Sequence, residues 1–72
     1  MILKDFIKHS GADLVYITDT KRGYGKRGCV YTYDLTYPPD TMALKEFLED
    51  YGHSEVLYGV VVKSTSTVTA QI

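Results

Sequence analysis

Residues 29–51, CVYTYDLTYPPDTMALKEFLEDY, contain the change of pattern that decides the fold. Before Pro38 the odd positions carry mostly apolar or aromatic side chains and the even positions mostly polar ones, an alternation typical of a half-buried strand. After the prolines, apolar residues recur at the spacing of an amphipathic helix. They are Leu44, Phe47, Leu48 and Tyr51. The stretch therefore predicts a strand over 29–37 and a helix over about 41–51.

Capping residues mark the ends of this helix and of an earlier one. An apolar stripe along residues 2–9 predicts a short first helix, and Gly11 is expected to end it in a left-handed conformation. The stripe consists of Leu3, Phe6 and Ile7. For the second helix, Asp40 or Thr41 is the expected N-cap and Gly52 the expected C-cap.

Three further segments have strand character. Residues 13–19 are rich in β-branched and aromatic side chains, residues 55–63 are apolar on both faces, and residues 67–72 alternate strictly. The two-sided pattern of 55–63 favours a central strand. The predicted order is α-β-β-α-β-β: a single small α+β domain whose four-stranded, mostly antiparallel sheet carries the helices on one face.

Length and composition indicate one small soluble domain. The 72 residues carry a formal net charge of −1, with 44% hydrophobic and 24% charged residues, which are ordinary proportions for a globular protein. No apolar run reaches the ~20 residues that a membrane span needs, and no secretory signal is visible. The single Cys29 excludes an internal disulfide and a thiolate zinc cluster. We therefore expect a cytoplasmic protein with no metal ion, no cofactor and no membrane contact.

The loop over 20–28 concentrates positive charge. It combines Lys and Arg with one aromatic ring and several glycines. Such a loop can neutralise phosphates, stack on an unpaired base or enter an acidic groove of a protein, and it can equally be a solvated hairpin tip. The candidate contact residues, for protein or nucleic acid, are Lys21, Arg22, Tyr24, Lys26 and Arg27.

Three tyrosines share the odd-numbered face of the strand over 29–37, and two roles fit them. They either pack beneath the helices or form an exposed aromatic interface for a protein partner or a second copy of the chain. These residues are Tyr31, Tyr33 and Tyr37.

The second helix and the segment after it carry a candidate acidic face, opposed locally only by Lys45. A row of carboxylates can imitate nucleic-acid phosphates and occupy the basic channel of a nuclease, but it is also the ordinary surface of a solvated helix. Its members are Glu46, Glu49, Asp50 and Glu55.

Catalytic patterns are missing from the sequence. His9 and His53 stand alone at predicted helix ends, and neither a His pair at helical spacing nor a Gly-x-Ser-x-Gly motif occurs. A domain of this size rarely encloses a pocket in which catalytic groups converge. We therefore expect a protein that is not an enzyme.

Three segments carry a resemblance to a known group of proteins. Leu3–Ile7 (LKDFI), Val15–Asp19 (VYITD) and Tyr51–Val56 (YGHSEV), ahead of a closing hairpin, resemble small orphan accessory proteins of phages and conjugative elements of Gram-positive bacteria. The resemblance covers most of the chain in outline. It implies a setting among the accessory genes of mobile DNA, where inhibitors of host-defence nucleases are frequent.

The leading expectation is a small non-enzymatic binding protein of phage or mobile-element origin in the cytoplasm of a bacterial host. It would occupy a surface of a host protein and so inhibit a defence nuclease of the CRISPR or restriction type. A nucleic-acid-binding accessory factor that uses the basic loop 21–27 and a structural homodimer are the two alternatives.

Overall fold

The computed structural model describes residues 1–21 and 29–72, which form two α-helices and one four-stranded sheet. The helices are α1 (Leu3–Ser10) and α2 (Pro38–Tyr51), and the strands are β1 (Leu14–Asp19), β2 (Cys29–Asp34), β3 (Tyr58–Val62) and β4 (Thr67–Gln71). A 3-10 turn over Lys63–Thr65 joins β3 to β4. The predicted α+β class and the α-β-β-α-β-β order are confirmed.

The sheet is mixed, with the strand order β2-β1-β4-β3. β1 pairs in parallel with β4, whereas the β1–β2 and β3–β4 pairs are antiparallel. Antiparallel pairing therefore predominates, as predicted. The first and last strands of the chain occupy the centre of the sheet, and β2 and β3 form its edges.

The core lies on one face of this sheet. Val15 and Ile17 of β1 stand in register with Val68 and Ala70 of β4, and none of the four side chains is more than 1% exposed. Residues of both helices belong to the same buried cluster. They are Leu3, Ile7, Leu44 and Phe47. Full burial of an aliphatic side chain stabilises a fold by about 1.5–3 kcal/mol, so this small cluster dominates stability.

Both helices contact the face that holds the core. The Phe6 ring of α1 lies directly over Gly59 of β3, where an added Cβ would be 2.5 Å from Phe6 Cζ. On the other half of the sheet, the ring centroid of Phe47 in α2 is 4.7 Å from that of Tyr31 in β2. Tyr31 is connected to Gly59 through directly paired residues of β1 and β4. Paired residues on adjacent strands point to the same face of a sheet, so both helices lie on one side of it.

The third strand lies at the edge of the sheet, and the prediction that it is central is wrong. It begins at Tyr58 because the preceding segment pairs with the N-terminus instead. Glu55 forms an isolated bridge with Ile2, and the Val56 N–H donates to the Met1 carbonyl oxygen at 3.0 Å. In the described structure the helices cover one face of the sheet. A central strand such as β4 can therefore alternate, with apolar residues on the covered face and polar residues on the other.

The second strand ends at Asp34, earlier than predicted, because this residue starts a turn. Its Oδ1 accepts hydrogen bonds from the Thr36 N–H at 3.0 Å and the Thr36 hydroxyl at 2.6 Å. The helix then begins at Pro38, since proline has a helical φ and no N–H to leave unpaired. Asp40 and Thr41 therefore lie inside the first turn, and the prediction that one of them is the N-cap is wrong.

Glycines follow both helices, for different reasons. Gly11 has a φ of 62°, the left-handed conformation that was expected at the end of α1. Gly52 takes the predicted C-cap position of α2 but has a φ of −63°. Position 52 requires glycine for a steric reason. An added Cβ would collide with the Leu48 carbonyl oxygen and lie 3.2 Å from Lys4 Cβ. This close approach lets the Lys4 N–H donate to the Gly52 carbonyl oxygen at 3.0 Å, which joins α1 to the end of α2.

Gly59→Ala is expected to lower the free energy of unfolding by about 1–3 kcal/mol, because the new methyl group must displace the Phe6 ring. Urea unfolding measures this loss, and the losses from Gly59→Ala and Phe6→Leu should be less than additive when combined. Gly11→Ala is the control for additivity, since it strains a left-handed backbone at a φ of 62° while no atom lies within 4 Å of its added Cβ. Its effect should add to that of Phe6→Leu within ~0.5 kcal/mol. Full additivity at Gly59 would contradict the contact.

Candidate protein-binding surfaces

The helix α2 has one buried side and one solvent side. Leu44 and Phe47 are buried and Leu48 and Tyr51 are half-buried, which confirms the predicted stripe. This stripe orients the helix over the sheet, so the opposite side projects into solvent.

The solvent side of α2 combines three carboxylates with a large apolar side chain. The four residues are Met42, Glu46, Glu49 and Asp50, referred to below as the α2 acidic face. All four are exposed, Met42 by 68%. Met42 and Asp50 are each four residues from Glu46, and Glu49 is three residues from it, spacings that bring Cβ atoms on a helix to about 5–6 Å. The face therefore forms one continuous patch of negative charge with a methionine at its N-terminal end.

The three carboxylates of the α2 acidic face take part in no ion pair within the described parts of the chain. The last turn of α2 also has no basic residue. Glu49 and Asp50 thus lie near the negative end of the helix dipole, an arrangement that costs a few tenths of a kcal/mol per exposed charge. The charge is therefore available to a partner, at a small expense of helix stability.

Glu55, the fourth residue of the predicted acidic face, has a different environment. Its Oε1 accepts a hydrogen bond from the N-terminal ammonium group of Met1 at 2.9 Å, the one ion pair found across residues 1–21 and 29–72. The pair is exposed and is worth less than ~1 kcal/mol. Glu55 adds little uncompensated charge to the α2 acidic face.

The predicted aromatic interface is not a single exposed surface. Tyr31 and Tyr33 are half-buried beneath α2, with ring centroids 4.7 and 6.1 Å from that of Phe47. Tyr37 lies at the turn before α2 and is 57% exposed. Of the two roles considered for these tyrosines, packing beneath a helix describes Tyr31 and Tyr33.

Only one residue of the predicted basic loop lies in the described part of the chain. Lys21 is exposed in the turn after β1, and its N–H donates to Asp19 Oδ1 at 2.9 Å. The other candidate residues of this loop lie outside the described residues. They are Arg22, Tyr24, Lys26 and Arg27.

An open groove of about 470 Å³ runs along the side of α2. Leu35, Leu44 and Leu48 form an apolar floor. The rim carries cationic or titratable groups together with Glu49 of the α2 acidic face. Those other rim groups are Lys4, Lys45 and His53. The groove thus continues the α2 acidic face with apolar surface that a partner can cover.

The second face of the sheet carries no helix in the described structure. Its residues come from alternate positions of all four strands and are mostly threonine, valine and tyrosine. They are Leu14, Tyr16, Thr18, Val30, Thr32, Asp34, Tyr58, Val60, Val62, Thr67, Thr69 and Gln71. Hydrogen bonds from the Thr36 hydroxyl and N–H lower the pKa of Asp34, which is the one charged residue in this set. Val30 and Tyr58, on opposite edges, are 59% and 61% exposed.

No protein-family model, no curated protein and no solved structure matches the chain. Within the described ranges, no group of three or more His, Cys, Asp and Glu side chains could hold a metal ion. Neither described helix combines the length and the apolar character that crossing a membrane requires.

Two features of these surfaces are not among the residues that the sequence singles out. Met42 belongs to the α2 acidic face, and its position two residues before Leu44, hence on the opposite side of the helix, is the signal that could have identified it. The exposed strand β3 is the other feature. Its apolar character on both faces is equally compatible with a central strand, so strand order was needed to recognise it.

Alkaline titration tests the position of Tyr33. Burial raises the pKa of the Tyr33 phenol, and the nearby Tyr31 and Asp40 raise it further. Neutral Tyr33 therefore stabilises the fold below the ordinary tyrosine pKa of about 10, and this contribution is lost as the pH rises through the higher pKa of the folded state. Tyr33→Phe should remove a late-ionising phenol from the ultraviolet titration and make the alkaline loss of stability less steep. Tyr37→Phe, at an exposed ring, should leave the late component in place, and the reverse result would contradict the packing.

Proposed function

We propose that this protein is a small non-enzymatic binding protein that places its α2 acidic face on a basic surface of a larger protein. The observation that carries the proposal is a patch of three carboxylates that form no ion pair among the described residues, next to an exposed Met42. A charged patch beside an apolar contact is a common form of complementary recognition between proteins. The expected partner surface is therefore a basic groove with an apolar pocket for the methionine.

The charges and the apolar groups have separate roles in this contact. Carboxylates speed the encounter with a basic surface and select its orientation. Met42 is unbranched and adapts its shape to an irregular pocket, and the leucine floor of the adjacent groove adds apolar area. The helix of 14 residues is about 21 Å long, so its solvent side can contact an extended strip of another protein.

The setting that we propose is a phage or mobile element, with a host-defence nuclease in the bacterial cytoplasm as the target. The support is the resemblance of the three segments described above, together with the nature of the α2 acidic face. A nuclease channel is basic because it binds the phosphates of nucleic acid. The carboxylates of α2 start from Cβ atoms about 5–6 Å apart and present such a channel with a row of negative charges, as a phosphate backbone does. Occupying that channel would block access of nucleic acid without any catalytic step.

Neutralising the α2 acidic face should have opposite effects on stability and on binding. The variant Glu46→Gln/Glu49→Gln/Asp50→Asn should unfold at slightly higher urea, since removing anions near the end of α2 relieves the dipole by a few tenths of a kcal/mol per residue. Its affinity for the partner should fall at least about tenfold, because the interface loses its charge complementarity. A change that was merely structural would move both quantities in the same direction.

The experiment is capture from bacterial lysate on immobilised protein, with and without nuclease treatment, followed by activity assays of any captured nuclease. Glu55→Gln is the matched control, because it removes a carboxylate that is already paired with the N-terminus. We expect a discrete protein that survives nuclease treatment, is lost with the triple variant and is retained with Glu55→Gln. Capture that disappears on nuclease treatment would instead support nucleic-acid binding through the basic loop. A captured nuclease that remains active would refute the inhibitor role.

A further inference from the structure

We propose that the protein forms a symmetric dimer by antiparallel pairing of β3 with β3 of a second copy, which joins the two sheets into one of eight strands. The proposal is independent of the α2 acidic face, since β3 lies at the edge of the sheet away from the β2 strand that α2 contacts.

The strand β3 is an unprotected edge. Four of its five residues are exposed and only Val60 is half-buried. Tyr58 is 61% and Val62 is 42% exposed, and the preceding Leu57 is 62% exposed. An outermost strand presents unpaired N–H and C=O groups, and natural edges are normally blocked by charge, proline or a bulge. The sequence of β3, YGVVV, contains neither a charged residue nor a proline.

The opposite edge of the sheet differs from β3. The rings of Tyr31 and Tyr33 in β2 are packed beneath α2, and β2 ends in the turn that Asp34 initiates. The chain then enters α2 through Pro38. In the part of the chain that the structure describes, β3 is therefore the edge strand without a charged residue, whereas β2 has an exposed Val30 but ends in Asp34.

The sequence of β3 is compatible with antiparallel pairing to the same strand of a second copy. The antiparallel register that uses all five residues sets Val60 opposite Val60 of the second copy and Tyr58 opposite Val62. A two-fold axis repeats every contact, so a charge at position 60 would face the same charge of the other copy. The absence of charge from β3 therefore removes the usual obstacle to self-pairing.

The charges that flank β3 are complementary in this arrangement. Lys63 follows the strand and Glu55 precedes it, and antiparallel pairing brings the end of one strand to the start of the other. Lys63 of each copy thus approaches the end of the other copy's strand before which Glu55 lies. Glu55 is already paired with the N-terminal ammonium group of its own chain, so these opposite signs orient a second copy antiparallel and contribute little to affinity.

On the face of the sheet that the helices cover, the β3 edges of the two copies are also complementary in shape. In the same register Gly59 stands opposite Val61 of the second copy. Val61 is 38% exposed in the single chain, and Gly59 leaves the space that Phe6 covers. The Val61 methyl groups of one copy therefore come beside the Phe6 ring of the other, which extends the apolar contact beyond the backbone.

The size of the contact sets the expected affinity. A single strand pair buries less than the roughly 1,200 Å² typical of a stable complex, so we expect dissociation in the micromolar range. Sedimentation of the full chain between about 1 μM and 1 mM covers that range. We expect a shift from monomer to dimer over this interval, and a chain that stays monomeric at the highest concentration would overturn the proposal.

A matched pair of variants locates the interface. Val60→Lys sets two ammonium groups against each other at the two-fold axis and should raise the dissociation constant at least about tenfold. Val30→Lys makes the same change on the same uncovered face of the sheet but at the β2 edge, and it should leave the dissociation constant unchanged. Circular dichroism of both variants verifies the fold. Equal effects, or an effect of Val30→Lys alone, would overturn the β3 interface.

A charge-exchange experiment tests the register through the recovery of dimerisation, and not only through its loss. Tyr58→Lys and Val62→Glu should each weaken the dimer, because a charge is then buried opposite an apolar residue. Combining them sets each new ammonium group opposite a new carboxylate across the axis, and the combined variant should recover dimerisation. A folded combined variant that stays monomeric would overturn the proposed pairing.

Discussion

The parallel pairing of β1 with β4 is the contact on which the rest of the structure depends. It joins residues 14–18 to residues 67–71, near the two ends of the chain. Beyond the ladder, the Ile72 N–H donates to the Thr18 carbonyl oxygen at 2.9 Å, and the Thr20 N–H donates to the Ile72 carbonyl oxygen at 3.0 Å. The side chains on the helix face of this pair are almost completely excluded from water. Since parallel neighbours require a crossover connection, α2 has to pass over the sheet between them.

The positions of the surfaces follow from that central pair. Each central strand has a hairpin partner on its outer side, so β2 and β3 become the edges. α1 occupies the half of the covered face near β3, where Gly59 admits Phe6, and α2 occupies the half near β2, where Phe47 meets Tyr31. No helix of the described structure covers the remaining face.

The two proposed contacts lie at opposite ends of the helix layer and are compatible with each other. A two-fold axis perpendicular to the sheet keeps both helix layers on one side. With strands about 4.8 Å apart, the two α2 helices would then lie on the order of 30 Å from each other. A dimer would therefore offer two α2 acidic faces to one partner or to two, and simultaneous engagement raises apparent affinity without new contacts. Both surfaces also reduce the stability or solubility of the isolated chain, as functional sites commonly do.

The sequence by itself determined the local elements and the charge carried by α2. Leu44 and Phe47 reveal the buried side of that helix because helical spacing relates close neighbours in the chain, and the alternation of β4 reveals a strand for the same reason. Tertiary structure alone decided that β3 is an edge, that Tyr31 lies beneath α2 and that Glu55 pairs with the N-terminus. These outcomes depend on contacts between residues far apart in the chain. Such contacts form only when the gain from burying the whole core exceeds the entropy lost in closing long loops, and no local pattern records that balance.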